Sequence, residues 1–150
     1  YLVDSFGALY SEQIAYLAKK YKGILKTREI GIHAHNNQQL AFANTIEAII
    51  NNINFLDGTI FGIGRAAGNC PLELLLGFLK NPKFDLRPIL EILEKDFVKL
   101  SQEIEWGYTI PYMLTGILDN HPRSAMALRN SENKDDYLNF YNKLINESNV

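Results

Sequence analysis

The chain has 150 residues, 47% of them hydrophobic and 21% charged, the balance of an ordinary globular protein able to bury one core. A formal net charge of -2 offers no basic surface to nucleic acid, and Lys19, Lys20, Lys22 and Lys26 follow a helical face instead of forming a binding block. No apolar run is long enough to cross a bilayer, no signal-peptide pattern opens the chain, and the single Cys70 cannot form an internal disulfide, so a reducing, cytoplasmic setting is expected.

Tyr1-Leu2-Val3-Asp4 has no initiator Met and reads as a strand already under way, which predicts a fragment of a longer protein. Ser11 can cap a helix to about Tyr21, with Ile14, Leu17, Ala18 and Tyr21 on one stripe and Gly23 ending it. A second strand is predicted over 29–34. The helix after it, about 38–51, carries Phe42, Ile46, Ile49, Ile50 and Ile53 at the helical period. A third strand over 55–61 runs into Gly62-Ile63-Gly64-Arg65-Ala66-Ala67-Gly68-Asn69, and Pro71 suits the first position of a helix ending near Leu79. Strands alternating with helices have the rhythm of βαβ units. From Pro82 onward the strands stop. Asp85 can cap a helix with Ile89, Leu93, Phe97, Leu100 and Ile104 on one side and Glu91, Glu94, Lys95 and Lys99 on the other. The aromatic run Trp106 to Tyr112, then His121-Pro122 and a polar helical tail, complete the chain.

Three parallel strands make only a thin open sheet, which cannot close into a barrel and leaves its edges bare. The predicted class is α/β: the C-terminal part of a TIM (β/α)8 barrel over 1–81, followed by a helical extension over 82–150. In such barrels the chemistry sits at the C-terminal ends of strands, where Asp4-Ser5, His33/His35 and the Gly64 to Asn69 loop all fall.

His33-Ala34-His35 puts two imidazoles on one face of a strand. Two neutral histidines can hold a divalent ion if an oxygen donor arrives from elsewhere, and Asn69 supplies a candidate amide, with no obvious carboxylate to join it. A bare His-x-His serves as readily as a hydrogen-bonded structural pair. Other residues have plainer readings. Gly62, Gly64 and Gly68 lack the Lys-Ser/Thr of a phosphate cradle. Glu73 can cap its helix by reaching back toward Cys70, and Cys70 reads as a small buried residue, not a nucleophile. Asp57 and Thr59 would alternate onto one strand face, as barrel filling or as substrate contacts. His121 reads as structural.

Taken together, Asp4-Ser5-Phe6-Gly7-Ala8, His33-Ala34-His35-Asn36, Ala43-Asn44-Thr45, Asp57-Gly58-Thr59 and Gly62 to Asn69 with Glu73 resemble the second half of the 3-hydroxy-3-methylglutaryl-CoA lyase-like metal-dependent TIM barrels. Within that superfamily the likeness is to the 4-hydroxy-2-oxovalerate aldolases. It covers roughly residues 2 to 79, and the order and spacing of several motifs make it far more specific than His-x-His alone.

The resemblance implies a divalent metal ion (Mn²⁺, Mg²⁺ or Zn²⁺) held by His33 and His35, with Asn69 as a direct or outer ligand. Ser5 would lie near the carboxylate or carbonyl of a small 2-oxo acid substrate. Gly107-Tyr108 is similar to a segment that covers the site and contributes a tyrosine in these aldolases, although Trp106, Tyr108 and Tyr112 also suit a packing stripe. The implied reaction cleaves or forms a 4-hydroxy-2-oxo acid, giving pyruvate and an aldehyde through a metal-stabilised enolate. An acyl-CoA lyase or Claisen condensing enzyme of the same fold is the alternative, and a non-catalytic assembly module is another. The Asp-x-Thr-Leu-Arg-Asp-Gly motif that supplies the remaining ligand and an enolate-stabilising Arg is not in this sequence. The missing N-terminal half of the barrel is therefore an expected partner, the chain alone is expected to be inactive, and a homo-oligomer is compatible with the sequence.

Overall fold

The computed structural model describes residues 1–148. Strands β1 (Leu2–Asp4), β2 (Gly31–Ala34) and β3 (Phe55–Leu56) lie parallel in the order β1-β2-β3. Val3 stands opposite His33, and Gly31 opposite Phe55. Helices α1 (Ser11–Ile24) and α2 (Ala41–Ile50) connect them, which is the strand-helix repeat of a (β/α)8 barrel segment.

Side-chain alternation explains which way this sheet faces. Leu2, Ile32 and Ala34 point to one side and are buried with Ile14, Ala18, Ala41 and Ala48 of the two helices, forming the first core. Val3, half exposed, and His33 point to the other side. The apolar face is thus spent on helix packing, and the opposite face is left for chemistry.

Several predicted boundaries shift. Helix α1 begins at Ser11, but the capping position is Tyr10, whose N–H donates to Gln13 Oε1 at 2.8 Å. Helix α2 starts at Ala41, where Asn36 Oδ1 accepts the Ala41 N–H at 3.1 Å across a turn with Gln39 at φ 62°. The third strand, predicted over 55–61, is only Phe55–Leu56. Beyond it the chain bends away, Thr59 bridges to Pro71, and Ile60–Gly62 forms a 3₁₀ turn. Helix α3 spans Leu72–Leu79.

The long helix predicted after Asp85 is present in three pieces. Asp85 Oδ1 accepts the Arg87 N–H at 3.0 Å, then α4 (Arg87–Ile92) passes through a π turn at Leu93–Phe97 into α5 (Val98–Glu103). Helices α6 (Ile110–Ile117), α7 (Arg123–Arg129) and α8 (Tyr137–Ser148) follow. They build a second core from Tyr112, Ala125, Phe140 and Leu144, into which Ala66 and Ala67 of the glycine-rich loop insert. No helix among the described residues is long and apolar enough to cross a membrane.

Candidate metal centre

The site grows from the end of β2. His35 leaves the strand with its N–H donated to Asp4 O at 3.1 Å, and it forms an antiparallel bridge with Asn69. The next residue, Asn36, donates its N–H to Gly68 O at 2.9 Å. These backbone bonds fasten the glycine-rich loop beside the two histidines, whose rings meet edge to face with centroids 5.2 Å apart.

Each imidazole is anchored through Nδ1. His33 Nδ1 lies 3.1 Å from Asp57 Oδ2, and His35 Nδ1 lies 3.2 Å from the Gly68 carbonyl oxygen. A carbonyl only accepts, and an ionised carboxylate only accepts, so in the neutral ring the proton belongs on Nδ1 in both cases. With the proton on Nδ1, Nε2 is the ring nitrogen that carries the lone pair, the tautomer common to histidines that bind metals, and the Arg65 backbone lies close enough to the His35 ring to interact with it as well. Burial, and then the charge of Arg65, hold the His35 pKa below the usual histidine range against the opposing pull of the Gly68 bond. His35 is therefore biased toward its neutral form, the one able to ligate a metal.

Asn69 brings the oxygen. Its N–H donates to Gly62 O at 2.9 Å and its Nδ2 to Ile63 O at 3.1 Å, while Oδ1 is buried with no hydrogen-bond partner among the described residues. An orphaned buried carbonyl is costly unless something completes it. The loop glycines make the placement sterically allowed: a Cβ on Gly64 would strike the Asn69 amide, and one on Gly68, at φ 82°, would strike Gly62 O. Among the described residues no three His, Cys, Asp or Glu groups cluster for a metal. A donor set drawn from these residues would be two imidazole nitrogens and one amide oxygen, which fits a divalent ion that accepts mixed nitrogen and oxygen ligands.

The remaining predicted residues scatter around this centre. Tyr108 is half exposed and lines a cavity of about 430 Å³ together with Asn69, Asn36, Phe61, Glu73 and Trp106. Ser5 lies in a separate cleft with Asp4, Phe6 and Asp119, and its carbonyl accepts a 2.6 Å bond from Arg65 Nη2. Glu73 does not reach back toward Cys70; its Oε2 accepts the Phe61 N–H at 3.0 Å. Asp57 and Thr59 do not alternate along a strand, because β3 has ended: Asp57 turns to His33, and Thr59 Oγ1 donates to Ile63 O at 2.8 Å. Cys70 is buried, and burial pushes its thiol pKa up to about 11, which leaves no thiolate for nucleophilic work. His121 accepts the Arg123 N–H through Nδ1 and packs its ring on Phe6.

Two residues near the site carried no strong sequence signal. Arg65 ties the glycine-rich loop to the end of β1, and Trp106 donates from Nε1 to Phe61 O at 2.9 Å. The spacing Asp57 to His33, 24 residues, is invisible to periodicity, since only the fold brings them together.

Comparisons with known proteins identify the family. Over 98 residues the chain is 39% identical to the 4-hydroxy-2-oxovalerate aldolase of Thermus thermophilus, an alignment covering 63% of this chain and 28% of that protein. It is 40% identical over 80 residues to the oxaloacetate decarboxylase of Mycobacterium tuberculosis, covering 53% of this chain and 24% of the relative. The chain thus spans about a quarter of the length of these curated relatives. The crystal structure of the N-terminal domain of a candidate aldolase from Bacteroides vulgatus superposes with a TM-score of 0.75 at 35% identity, covering 87% of this chain and 44% of that one. A family model described as HMGL-like matches residues 1–95, the stretch that holds the three strands, both histidines and the Asn69 loop, and the chain belongs to that family.

Proposed function

We infer that the protein is a divalent-metal-dependent carbon–carbon lyase of the aldolase type, cleaving or forming a 4-hydroxy-2-oxo acid with pyruvate as one product. His33, His35 and Asn69 would hold the ion, Mn²⁺, Mg²⁺ or Zn²⁺. The observation that carries this assignment is the grouping of His33 and His35, each anchored through Nδ1 with their rings in contact, beside Asn69, whose buried Oδ1 has no partner among the described residues. When bound, the ion supplies a Lewis acid that polarises the 2-oxo carbonyl.

The chain's own residues then divide the remaining work. Arg65, tied to the Ser5 carbonyl and close enough to His35 to depress its pKa, supplies positive charge for the substrate carboxylate. Ser5 sits at the end of β1, beside that charge. Tyr108, on the wall of the cavity that Asn69 also lines, would exchange a proton with the 4-hydroxyl oxygen, a step in which a phenol can act as donor or acceptor. A first-strand Asp and Arg would come from outside these 150 residues.

A second reading within the same chemistry is decarboxylation of a 2-oxo diacid, favoured by the likeness to oxaloacetate decarboxylase. Both reactions break a bond next to the carbon that carries the developing negative charge, so one site serves either. The test is methyl-proton exchange: pyruvate in D₂O with Mn²⁺ and the protein expressed over its full reading frame, beside His35→Ala. Deuterium uptake that needs both metal and His35 is expected. Exchange of an acyl-CoA but not pyruvate would move the assignment to the acyl-CoA lyases, and no exchange with either would remove the lyase assignment.

A further inference from the structure

We propose that Asp57 is a positioning residue that fixes the tautomer of His33, so that His33 presents its Nε2 lone pair to a divalent ion. The inference rests on the metal-site assignment above and extends it by one residue.

The two histidines reach the same state by different means. His35 is anchored by a backbone oxygen, Gly68 O at 3.2 Å, which no side-chain substitution removes. His33 is anchored only by a side chain, Asp57 Oδ2 at 3.1 Å. An isolated neutral imidazole in water prefers the proton on Nε2, the tautomer in which Nε2 cannot ligate. Without Asp57, His33 loses the acceptor of its Nδ1 proton and relaxes toward that unproductive form. The carboxylate also aims the ring, because a hydrogen bond in the ring plane fixes rotation about the Cβ–Cγ bond.

The surroundings hold Asp57 to this task. It stands just after β3, where the chain leaves the sheet, and its own N–H is donated to Ile32 O at 3.0 Å, beside His33 in β2. Asp57 also lies near enough to the Tyr1 phenol to help, after desolvation, to raise its pKa. The Tyr1 ring lies across Gly31, where any Cβ would collide with it. A chain of contacts therefore runs from Tyr1 through Asp57 to His33, on the sheet face turned away from the helices.

The experiment uses metal-free protein labelled with ¹⁵N on histidine, at pH 8, above the ordinary histidine range. Protonated and bare ring nitrogens differ in ¹⁵N shift, which reads the tautomer of each histidine separately. In the wild-type protein His33 and His35 should both carry the proton on Nδ1. In Asp57→Ala, His33 should move toward the Nε2–H form while His35 stays unchanged, an internal control for folding. Mn²⁺ affinity, read from the free-ion signal by electron paramagnetic resonance, should fall about 10–100-fold, as for other outer partners of metal-bound histidine. Asp57→Glu should recover part of both signals. An Nε2–H tautomer of His33 in the wild-type protein overturns the proposal whether or not any variant folds. So does an unchanged His33 tautomer or an unchanged Mn²⁺ affinity in Asp57→Ala. Wild-type protein that binds no Mn²⁺ would instead remove the metal-site assignment, while the tautomer shift alone would still decide what Asp57 does to His33.

Discussion

Cys70 shows how the neighbour of a candidate ligand can be held inert. It follows Asn69 directly, is fully buried, and packs in the first core with Leu75 and Ile53. Burial lifts its thiol pKa from 9.0 to about 11. Since the folded value exceeds the unfolded one, the neutral thiol contributes stability that is fully present below pH 9 and lost as pH rises through about 11. The shift of two units corresponds to about 2–3 kcal/mol. Urea unfolding of wild-type and Cys70→Ala proteins from pH 8 to 11 should show the wild-type losing more stability by that order; parallel curves would refute it. At pH 8 the thiol should resist alkylation in the native protein. The two histidines and Asn69 stood out in the sequence as candidate ligands because their residue types suit a metal and because they lie at or beyond the ends of predicted strands. Their partners were not: the acceptors for Nδ1 are a carboxylate 24 residues away and a backbone oxygen 33 residues away, and no local pattern encodes either.

At the scale of elements, the turn after β3 is where local preference gave way. The run Phe55 to Phe61 is apolar and aromatic enough to predict a strand, yet Asp57-Gly58 breaks the ladder and Phe61 takes φ 56°. The left-handed conformation is costly for a residue with a side chain, by roughly 1–2 kcal/mol. It is clamped from both sides: Glu73 accepts the Phe61 N–H, Trp106 donates to the Phe61 carbonyl, and the Phe61 and Trp106 rings stack edge to face at 5.8 Å. Phe61→Gly and Phe61→Ala both lose the ring, so their difference isolates the backbone. Gly should be the more stable of the two, by up to about 1 kcal/mol in denaturant unfolding, because only Gly occupies that region freely. Ala proving the more stable would mean the turn relaxes out of its left-handed form. By contrast α1 and α2 were readable from their apolar stripes and α3 from Pro71 at its start, and only their ends moved. The π turn at Leu93–Phe97 had no counterpart in the sequence pattern, since one extra residue in a turn leaves the spacing of Ile89, Leu93, Phe97 and Leu100 still helical.

Over the whole molecule, the two cores meet at the glycine-rich loop that carries Asn69. Ala34, Leu75 and Cys70 pack in the first core, Ala66 and Ala67 in the second, and Asn69 lies between them in sequence. The helical extension therefore braces the loop as well as following it, and the arrangement of Gly62 O, Gly68 and Asn69 depends on packing supplied from α6 to α8. Leu144→Ala, on a residue 1% exposed, should cost about 2–5 kcal/mol as a core truncation. Ile14→Ala, 0% exposed in the first core, should cost a similar amount. Their consequences for the site should differ. Opening the second core frees Ala66 and Ala67, so the Gly68 N–H, donated to Arg65 O, and the Asn69 N–H, donated to Gly62 O, should exchange with solvent faster. Opening the first core at Ile14, behind the sheet, leaves that loop braced. Native-state hydrogen exchange on both variants, compared with wild type, measures this: larger acceleration at Gly68 and Asn69 in Leu144→Ala, beyond what the global loss of stability explains, is the expected outcome. Equal acceleration in the two variants would show that the extension stabilises the fold without supporting the site, and the loop would then owe its geometry to its own glycines and the bonds it makes with β2.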